Sequence, residues 1–411
     1  MATTNEIKDA EQGKAISAWI HYKCWGTLEL CTSFGKTFTA LKAAMYYIQS
    51  NPNFRVLVLT PTEVIRDDVW IEEAKQWGLE KYYHKHFRME CIQTARNWVN
   101  TQWDMVIGDE FHNYLSPENR KFFLNNRIDK LLGLTAKIPA DRWDIAKQIC
   151  PVIYRMTIQE AKLLGIVSKY TVANLAISFT PKEKLEYAQI CNRYNYYESL
   201  LGGKHSAYNN SRNFLKNGST TQKQQAAGFQ NQMRLRTQKL YAAQNKLKVI
   251  NEALDMPKFK DKLAIIFTQT KQVAHSLSSM REDTVHYYSP ASADKKKGLY
   301  ISKQERLENL VKFNDPTSSI TRMVAVMALN EGVSIPKISL NFIHSGTNSE
   351  KDFIQRVGRT VRLADADKHA LIVNCYIKGT QEEVWVNSRL GKFKEDSKWV
   401  SNLLELSDLI N

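Results

Sequence analysis

No stretch of this 411-residue chain approaches the roughly 18 consecutive apolar residues that a membrane-spanning helix needs. The opening MATTNEIKDAEQGK likewise has no apolar core of the kind that marks a secretion signal. A membrane or exported role is therefore not expected, and a cytoplasmic one is. Cysteine is scarce. The six thiols, Cys24, Cys31, Cys91, Cys150, Cys191 and Cys375, are scattered without a Cys-x-x-Cys pair. That pattern argues against a disulfide framework or a zinc site and for reduced, mostly buried side chains. The triplet His84-Lys85-His86 has no second ligand pair near it and is expected to be a solvated loop rather than a metal site. There is no internal repeat of fixed period.

What the chain has in excess is positive charge, 57 Lys+Arg against 42 Asp+Glu, a net +15. The excess is lopsided. Residues 1–150 hold 19 basic and 18 acidic residues, so +14 lies in 151–411. Because neutralised phosphates release counterions, a polyanion is the natural partner for such a surface.

Two domains of about 150–200 residues are expected for this length. Short β-rich apolar runs recur at 55–60, 103–110, 131–136, 262–268, 322–328 and 369–376, with amphipathic stretches such as 37–50 and 62–78 between them. Buried strands alternating with helices predict parallel α/β sheets, in two groups at roughly 25–140 and 260–380. The boundary is set at 150/151. Residues 181–255 lack strand runs and read as a helical insertion in the second lobe, around a polar loop GGKHSAYNNSRNFLKNGSTTQ.

Three segments carry chemistry. CTSFGKTF (31–38) ends as a phosphate-binding loop does, but Leu30 stands where that pattern has its first glycine. If a strand precedes it and a helix follows, backbone N–H groups can cradle phosphates, Lys36 can reach the β- and γ-phosphates, and Thr37 can offer a hydroxyl to Mg²⁺. Alone, Gly-Lys-Thr is as compatible with chance. DEFH (109–112) follows an apolar run, so Asp109 and Glu110 emerge at a strand's C-terminal edge. One carboxylate suits the metal, the other the proton of an attacking water. In FIQRVGRTVR (353–362), helical spacing brings Arg359 and Arg362 near one face, where an arginine fork can stabilise charge on a transferred phosphoryl group. Gly358 inside that helix suggests close approach rather than a solvated face.

Taken in this order, the segments resemble the superfamily 2 helicases and translocases over nearly the whole chain. EQGKAI (11–16) is similar to the glutamine motif, TSFGKT to motif I, LVLTPT (57–62) to motif Ia, IQTARNW (92–98) to the later strand-contacting motif and DEFH to motif II. LGLTAK (132–137), IIFTQT (265–270), NEGVSIP (330–336) and QRVGRTVR (355–362) resemble motifs III, IV, V and VI. Residues 153–172 resemble the segment that opens the second lobe in the branch of type III restriction helicase subunits, the transcription-repair helicase and phage branch-migration helicases. In this superfamily the first P-loop glycine is not required.

The resemblance implies an α/β, P-loop NTPase fold of two RecA-like lobes with ATP and Mg²⁺ between them. Gln12 would read adenine, Thr32, Ser33, Phe34, Gly35, Lys36, Thr37 and Gly332 would hold the nucleotide, and Thr37 with Asp109 the metal. Lys36, Asp109, Glu110, Gln355, Arg359 and Arg362 would form the catalytic set. Thr60, Pro61, Thr62, Thr94, Thr268 and Gln269 match positions that touch a nucleic-acid backbone. There are departures: Ser33-Phe34 replace the commoner Gly-Ser, Lys137 the final Thr of motif III, and Ser334 an Asp of motif V. His112 is compatible with a bridge to motif III or VI and with a polar role at a helix start.

The function expected is an ATP-dependent DNA helicase or translocase without sequence specificity. It would act as a monomer on duplex, forked or branched DNA with a single strand in the cleft. With no appended recognition domain, the chain resembles the compact phage-encoded enzymes, which would place it in a host cytoplasm. The alternatives are an RNA helicase and a non-enzymatic nucleic-acid binding module. The insertion carries 12 basic and 5 acidic residues, interleaved with aromatics, and Arg212, Lys216 and Lys223 are its candidate phosphate contacts.

Overall fold

The computed structural model describes residues 3–61, 70–289, 291–326, 335, 338–361 and 369–410. Thr62, Gly332, Ser334 and Arg362 lie outside the described residues. Two compact units form. The first comprises Met1–Tyr170 with Leu329–Ser339 and Glu350–Ala370; the second comprises Thr171–Ala328, Leu340–Ser349 and Leu371–Asn411.

The chain begins α1 (Thr4–His21), β1 (Trp25–Leu30), α2 (Lys36–Ile48), β2 (Val56–Thr60), α3 (Trp70–Gln76), α4 (Glu80–His86), β3 (Phe87–Cys91) and α5 (Ile92–Ala95). It continues through β4 (Gln102–Trp103), β5 (Met105–Asp109), α6 (Lys121–Asn125), β6 (Arg127–Ile128), β7 (Leu131–Thr135), α7 (Trp143–Ile149), β8 (Val152–Met156) and α8 (Ile158–Leu163). One sheet has the order β3-β2-β5-β7-β1-β8, every neighbouring pair parallel. Its central strands VLVLT, MVIGD and LLGLT are buried at every residue, as strands covered on both faces must be. Gly108 on β5 and Gly133 on β7 are register partners, and a Cβ on either would lie within 2.9 Å of the Phe111 ring. Phe111 therefore packs flat over two glycines, which anchors the turn just after β5.

The second unit holds β9 (Lys169–Ile177), which starts at the boundary, then α9 (Pro181–Leu200), α10 (Ala207–Asn217), α11 (Thr220–Tyr241) and α12 (Gln244–Asp255). β10 (Ala264–Thr268), α13 (Lys271–Ser279), β11 (Thr284–Tyr287), α14 (Lys303–Asn314), β12 (Arg322–Val326) and β13 (Leu340–Ile343) follow. After α15 (Glu350–Thr360), which belongs to the first unit, come β14 (His369–Ile377), α16 (Gln381–Leu390), β15 (Ser397–Val400) and α17 (Leu403–Ser407). The sheet order is β11-β12-β10-β13-β14-β9-β15. The architecture is thus the expected α/β one with mostly parallel sheets.

Three local expectations are corrected. The strand groups reach beyond 25–140 and 260–380, because β8, β9 and β15 join the sheets from outside those spans. β9 hides from a hydropathy reading because it carries Asn174, whose buried amide oxygen accepts from Asn374 on β14 at 2.9 Å. The polar loop of the insertion contains α10: Ala207, Ser211 and Phe214 recur at helical spacing, Ala207 and Ser211 are buried, and Ala207 and Phe214 pack with Leu201 and Phe229. His84-Lys85-His86 closes α4 rather than forming a loop, and His86 is buried with Nδ1 2.9 Å from the Phe54 carbonyl oxygen.

The insertion is tied to its unit by a buried ion pair. Lys246 Nζ on α12 lies 2.6 Å from Glu382 Oε1 on α16, and neither side chain is more than 1% exposed. Glu382 also accepts from the Ile377 N–H at 2.9 Å. Removing one member of such a pair strands a charge away from water, so Lys246→Met is expected to cost about 3–5 kcal/mol. Urea unfolding followed by tryptophan fluorescence measures this; an unchanged midpoint would mean the pair contributes nothing to the fold.

Candidate functional site

β1 ends at Leu30, so the position lacking glycine is simply the last buried residue of a strand. The chain then turns through Cys31–Gly35 into α2. Ser33 and Gly35 both have left-handed backbone, φ 71° and φ 90°. Gly35 is needed twice over: for that conformation, and because a Cβ there would lie 2.8 Å from Gln12 Nε2. Gln12, buried on α1, donates from Nε2 to the Phe34 carbonyl at 2.9 Å and accepts from Lys42 Nζ at 3.2 Å. The glutamine-motif residue is thereby held against the loop. Thr32 Oγ1 is buried with no hydrogen-bond partner, and Thr37 opens the first turn of α2.

The carboxylates lie at the end of β5. Asp109 is the strand's last residue, and Glu110 takes φ 51°, ψ 54°, a strained turn held in place by the packed Phe111 ring. That turn aims Glu110 at the loop: Lys36 Nζ donates to Glu110 Oε1 at 2.8 Å. Asp109 accepts from the Glu110 N–H at 3.0 Å and from Trp70 Nε1 at 3.1 Å. Two adjacent buried carboxylates cannot both ionise cheaply. Burial would raise Glu110, but Lys36 outweighs it and brings its pKa below the ordinary value. Burial and the Glu110 charge together push Asp109 up to about 6. Burial works against the Lys36 ammonium too, yet Glu110 and Asp109 hold it above its usual pKa.

His112 lies 2.8 Å from Thr135 Oγ1 through Nδ1 and 3.4 Å from Glu110 Oε2 through the same atom. The bridge is therefore to the LGLTAK segment. Burial lowers the imidazole to about 4, so it is neutral at pH 7. Oxygen donors at Asp109 and Thr37, a Glu110 Oε2 with no hydrogen bond, and the unpartnered Thr32 hydroxyl fit a nucleotide phosphate with a hard cation.

α15 belongs to the same unit. Gln355, Arg356 and Arg359 are all buried on it. A Cβ on Gly358 would fall 1.8 Å from Thr32 Oγ1, and Ser33 Oγ donates to the Gly358 carbonyl at 3.0 Å. This is the close approach that the sequence suggested. Lys137, the departure in LGLTAK, pairs with Glu350 at the start of α15 at 2.5 Å.

The strand-contact candidates divide by exposure. Thr60 and Thr268 are fully buried, Thr268 with its hydroxyl 3.2 Å from Ser345 Oγ. Pro61, whose carbonyl accepts from Gln93 Nε2 at 3.1 Å, Thr94 and Gln269 reach the surface. Arg212, Lys216 and Lys223 are exposed on α10 and α11. Of the insertion's aromatics, Tyr194, Tyr197, Phe214 and Phe229 pack among themselves, while Tyr196 and Tyr208 stay exposed. Two contributors went unseen in the sequence: Trp70, 39 residues from the Asp109 it steadies, and Glu350. No local pattern signals either.

A phosphate loop at the end of one parallel strand, faced by an acidic pair at the end of another, defines a P-loop nucleotide hydrolase. Two family models match the chain: "Type III restriction enzyme, res subunit" over residues 7–140 and "Helicase conserved C-terminal domain" over 245–364. A "DNA 3'-5' translocase XPB2" from Sulfurisphaera tokodaii is 25% identical over 404 residues, 92% of this chain and 83% of that one. A "Pre-mRNA-processing ATP-dependent RNA helicase PRP5" from Vanderwaltozyma polyspora is 30% identical over 102 residues, 25% of this chain and 11% of that one. In fold, the chain is similar to an "ATP-dependent Type ISP restriction-modification enzyme LlaBIII bound to DNA", with TM-score 0.58 and 16% identity. That likeness covers 97% of this chain but only 31% of that one. The chain belongs to the superfamily 2 helicases and translocases, related to type III restriction helicase subunits and XPB-type translocases. Among the described residues, no helix is long and apolar enough to cross a membrane, and no three His, Cys, Asp or Glu side chains cluster so as to hold a metal ion.

Proposed function

We propose that this chain is an ATP-driven motor that moves along DNA and remodels duplex, forked or branched DNA without reading sequence, acting as a monomer. The observation that carries the reading is the Lys36–Glu110 pair at the ends of β1 and β5. Lys36, with backbone N–H groups of Thr32–Thr37, holds the β- and γ-phosphates; Gln12 reads adenine; Gly332 lines the nucleotide. Asp109 and Thr37 hold Mg²⁺, which supplies charge neutralisation at the transferred phosphoryl group. Glu110, released from Lys36 by the arriving phosphates, accepts the proton of the attacking water. Gln355, Arg359 and Arg362 steady the charge that develops. Two lobes, one built on each sheet, act as the motor. Pro61, Thr62, Thr94 and Gln269 touch the strand's backbone, with Thr60 and Thr268 behind them.

ATP hydrolysis measured side by side with single-stranded, duplex and forked DNA and with RNA at one salt concentration tests the reading. Forked or duplex DNA should stimulate most. RNA as the best activator would favour an RNA helicase, and no turnover with any of them a binding module.

Arg359→Ala should lower turnover at least about tenfold while changing nucleotide affinity less, because the arginine serves mainly the transition state. Its damage should not add to that of Glu110→Gln, since both serve one assembled site; steady-state kinetics on the two singles and the double decide this, and additive losses would move Arg359 out of the site.

Reversing Arg212, Lys216 and Lys223 to glutamate together should weaken forked-DNA binding and flatten its salt dependence. Unchanged affinity and slope in a fluorescence-anisotropy salt titration would make this exposed face a passive one.

A further inference from the structure

The glutamine of α1 is pinned at both ends of its amide. Gln12 Nε2 donates to the Phe34 carbonyl at 2.9 Å, and Gln12 Oε1 accepts from Lys42 Nζ at 3.2 Å. A carbonyl can only accept and an ammonium can only donate, so the amide has one allowed orientation. Its nitrogen end is turned to the phosphate loop, where Gly35 leaves room for it: a Cβ there would lie 2.8 Å from Nε2. Its oxygen end faces Lys42. The frame behind it is firm. Trp19, buried on α1, donates from Nε1 to the Leu131 carbonyl at 2.9 Å, and the Tyr154 hydroxyl donates to Glu11 Oε2 at 3.0 Å.

Lys42 is itself held. Its Nζ pairs with Asp9, one turn before Gln12 on α1, and lies 4.6 Å from the centre of the Phe38 ring. Phe38, one turn before Lys42 on α2, is stacked on Trp77 with ring centres 3.8 Å apart and planes 14° from parallel. An ammonium has three N–H donors, and Asp9 and Gln12 engage two of them. The Lys42 side chain is 26% exposed, whereas Gln12 is 2% exposed. A base that reaches Gln12 therefore meets an amide oxygen with an ammonium donor beside it.

Adenine offers the complement. Its 6-amino group donates, and the ring nitrogens on either side of that group, N1 and N7, accept. The usual bidentate pairing of glutamine with adenine takes both ends of one amide. Here the nitrogen end is spent on the loop, so the second contact needs another donor. Guanine carries an oxygen in place of the amino group, and that oxygen would face Gln12 Oε1, acceptor against acceptor.

We infer that Lys42 is a second base-reading residue of the nucleotide site: Gln12 Oε1 accepts from the 6-amino group of adenine, and Lys42 Nζ donates to a ring nitrogen next to it. Asp9 and Phe38 position the ammonium. The inference rests on the reading of Gln12 as the adenine contact, and deepens it by naming the donor that the glutamine does not supply. Asp9 is 67% exposed, so its pair with Lys42 contributes little to the fold, and substitution of Lys42 should report on the base rather than on stability.

The test uses the full chain and the variants Lys42→Met, Lys42→Arg and Gln12→Ala, with thermal melting by circular dichroism to confirm that each is folded. Displacement of fluorescent N-methylanthraniloyl-ADP measures binding of ATP, 1-deaza-ATP, 7-deaza-ATP and purine riboside triphosphate, which lacks the amino group. One of the two deaza analogues should bind the wild type about tenfold more weakly than ATP, the scale of a hydrogen bond to a charged group. Lys42→Met should bind that analogue and ATP alike, and Lys42→Arg, which keeps a charged donor, should retain the difference. Equal binding of ATP and both deaza analogues by the wild type, or the wild-type difference persisting in Lys42→Met, would overturn the role of Lys42. Gln12→Ala separates this inference from the reading beneath it. If Gln12→Ala loses the preference for ATP over purine riboside triphosphate while Lys42→Met keeps the deaza difference, Gln12 reads adenine without Lys42. If Gln12→Ala keeps that preference as well, the base is not read at this place and both fall.

Discussion

Lys36→Ala is expected to abolish ATP hydrolysis. Lys36 is the cation that the loop geometry aims at the phosphates, and nothing on α2 can replace it: Thr37 is neutral and Lys42 is engaged with Gln12 and Asp9. The nucleotide-free protein should feel the change as well. Lys36 is what keeps the buried Glu110 carboxylate ionised against desolvation and against Asp109 next door. Without it Glu110 takes up a proton or remains as an uncompensated charge, and either state raises the energy of the fold. The double variant Lys36→Ala/Glu110→Gln should therefore recover thermal stability relative to Lys36→Ala while staying inactive. Turnover above a few per cent of wild type in Lys36→Ala would remove the loop from the mechanism.

Glu110→Gln is expected to slow turnover at least about a hundredfold, the scale for losing a positioned general base, with nucleotide and DNA binding retained. The substitution is specific because glutamine keeps the Oε1 acceptor for Lys36 and the side-chain length, and loses only basicity. It leaves the Phe111 packing that sets the left-handed turn untouched. Single-turnover hydrolysis with pre-bound ATP separates chemistry from binding. Near wild-type rates would show that the attacking water is activated by another group.

The two carboxylates illustrate how far a sequence goes. That Asp109 and Glu110 follow a buried strand was legible in MVIGDEFH, since a fully apolar run followed by charge has one reading in a parallel sheet. Their division of labour was not. It depends on Lys36 lying 2.8 Å from one carboxylate and Trp70 lying 3.1 Å from the other, through contacts 74 and 39 residues apart in the chain. The same holds for Gly358, whose presence inside a helix signalled close approach without naming Thr32 as the neighbour.

Failures of the local reading have a common cause. α10 was hidden because only Ala207 and Phe214 on it join an apolar cluster, too few to stand out against Asn, Gly and Ser. β9 was hidden because a buried Asn174 breaks its apolar run, and the partner of its amide oxygen, Asn374, lies 200 residues away. A polar residue costs little when its partner is supplied, and the partner is a property of the fold.

The sequence by itself determined the class of chemistry and the order of the motifs, because phosphate loops and strand-end carboxylates depend on residues adjacent in the chain. It also determined the two-sheet α/β architecture, through buried runs that repeat along the chain. The tertiary structure alone decided which groups share a charge, which threonines are spent inside the protein rather than on a ligand, and which way the Gln12 amide points. Those outcomes follow from through-space distances and burial, and neither is a function of spacing along the chain.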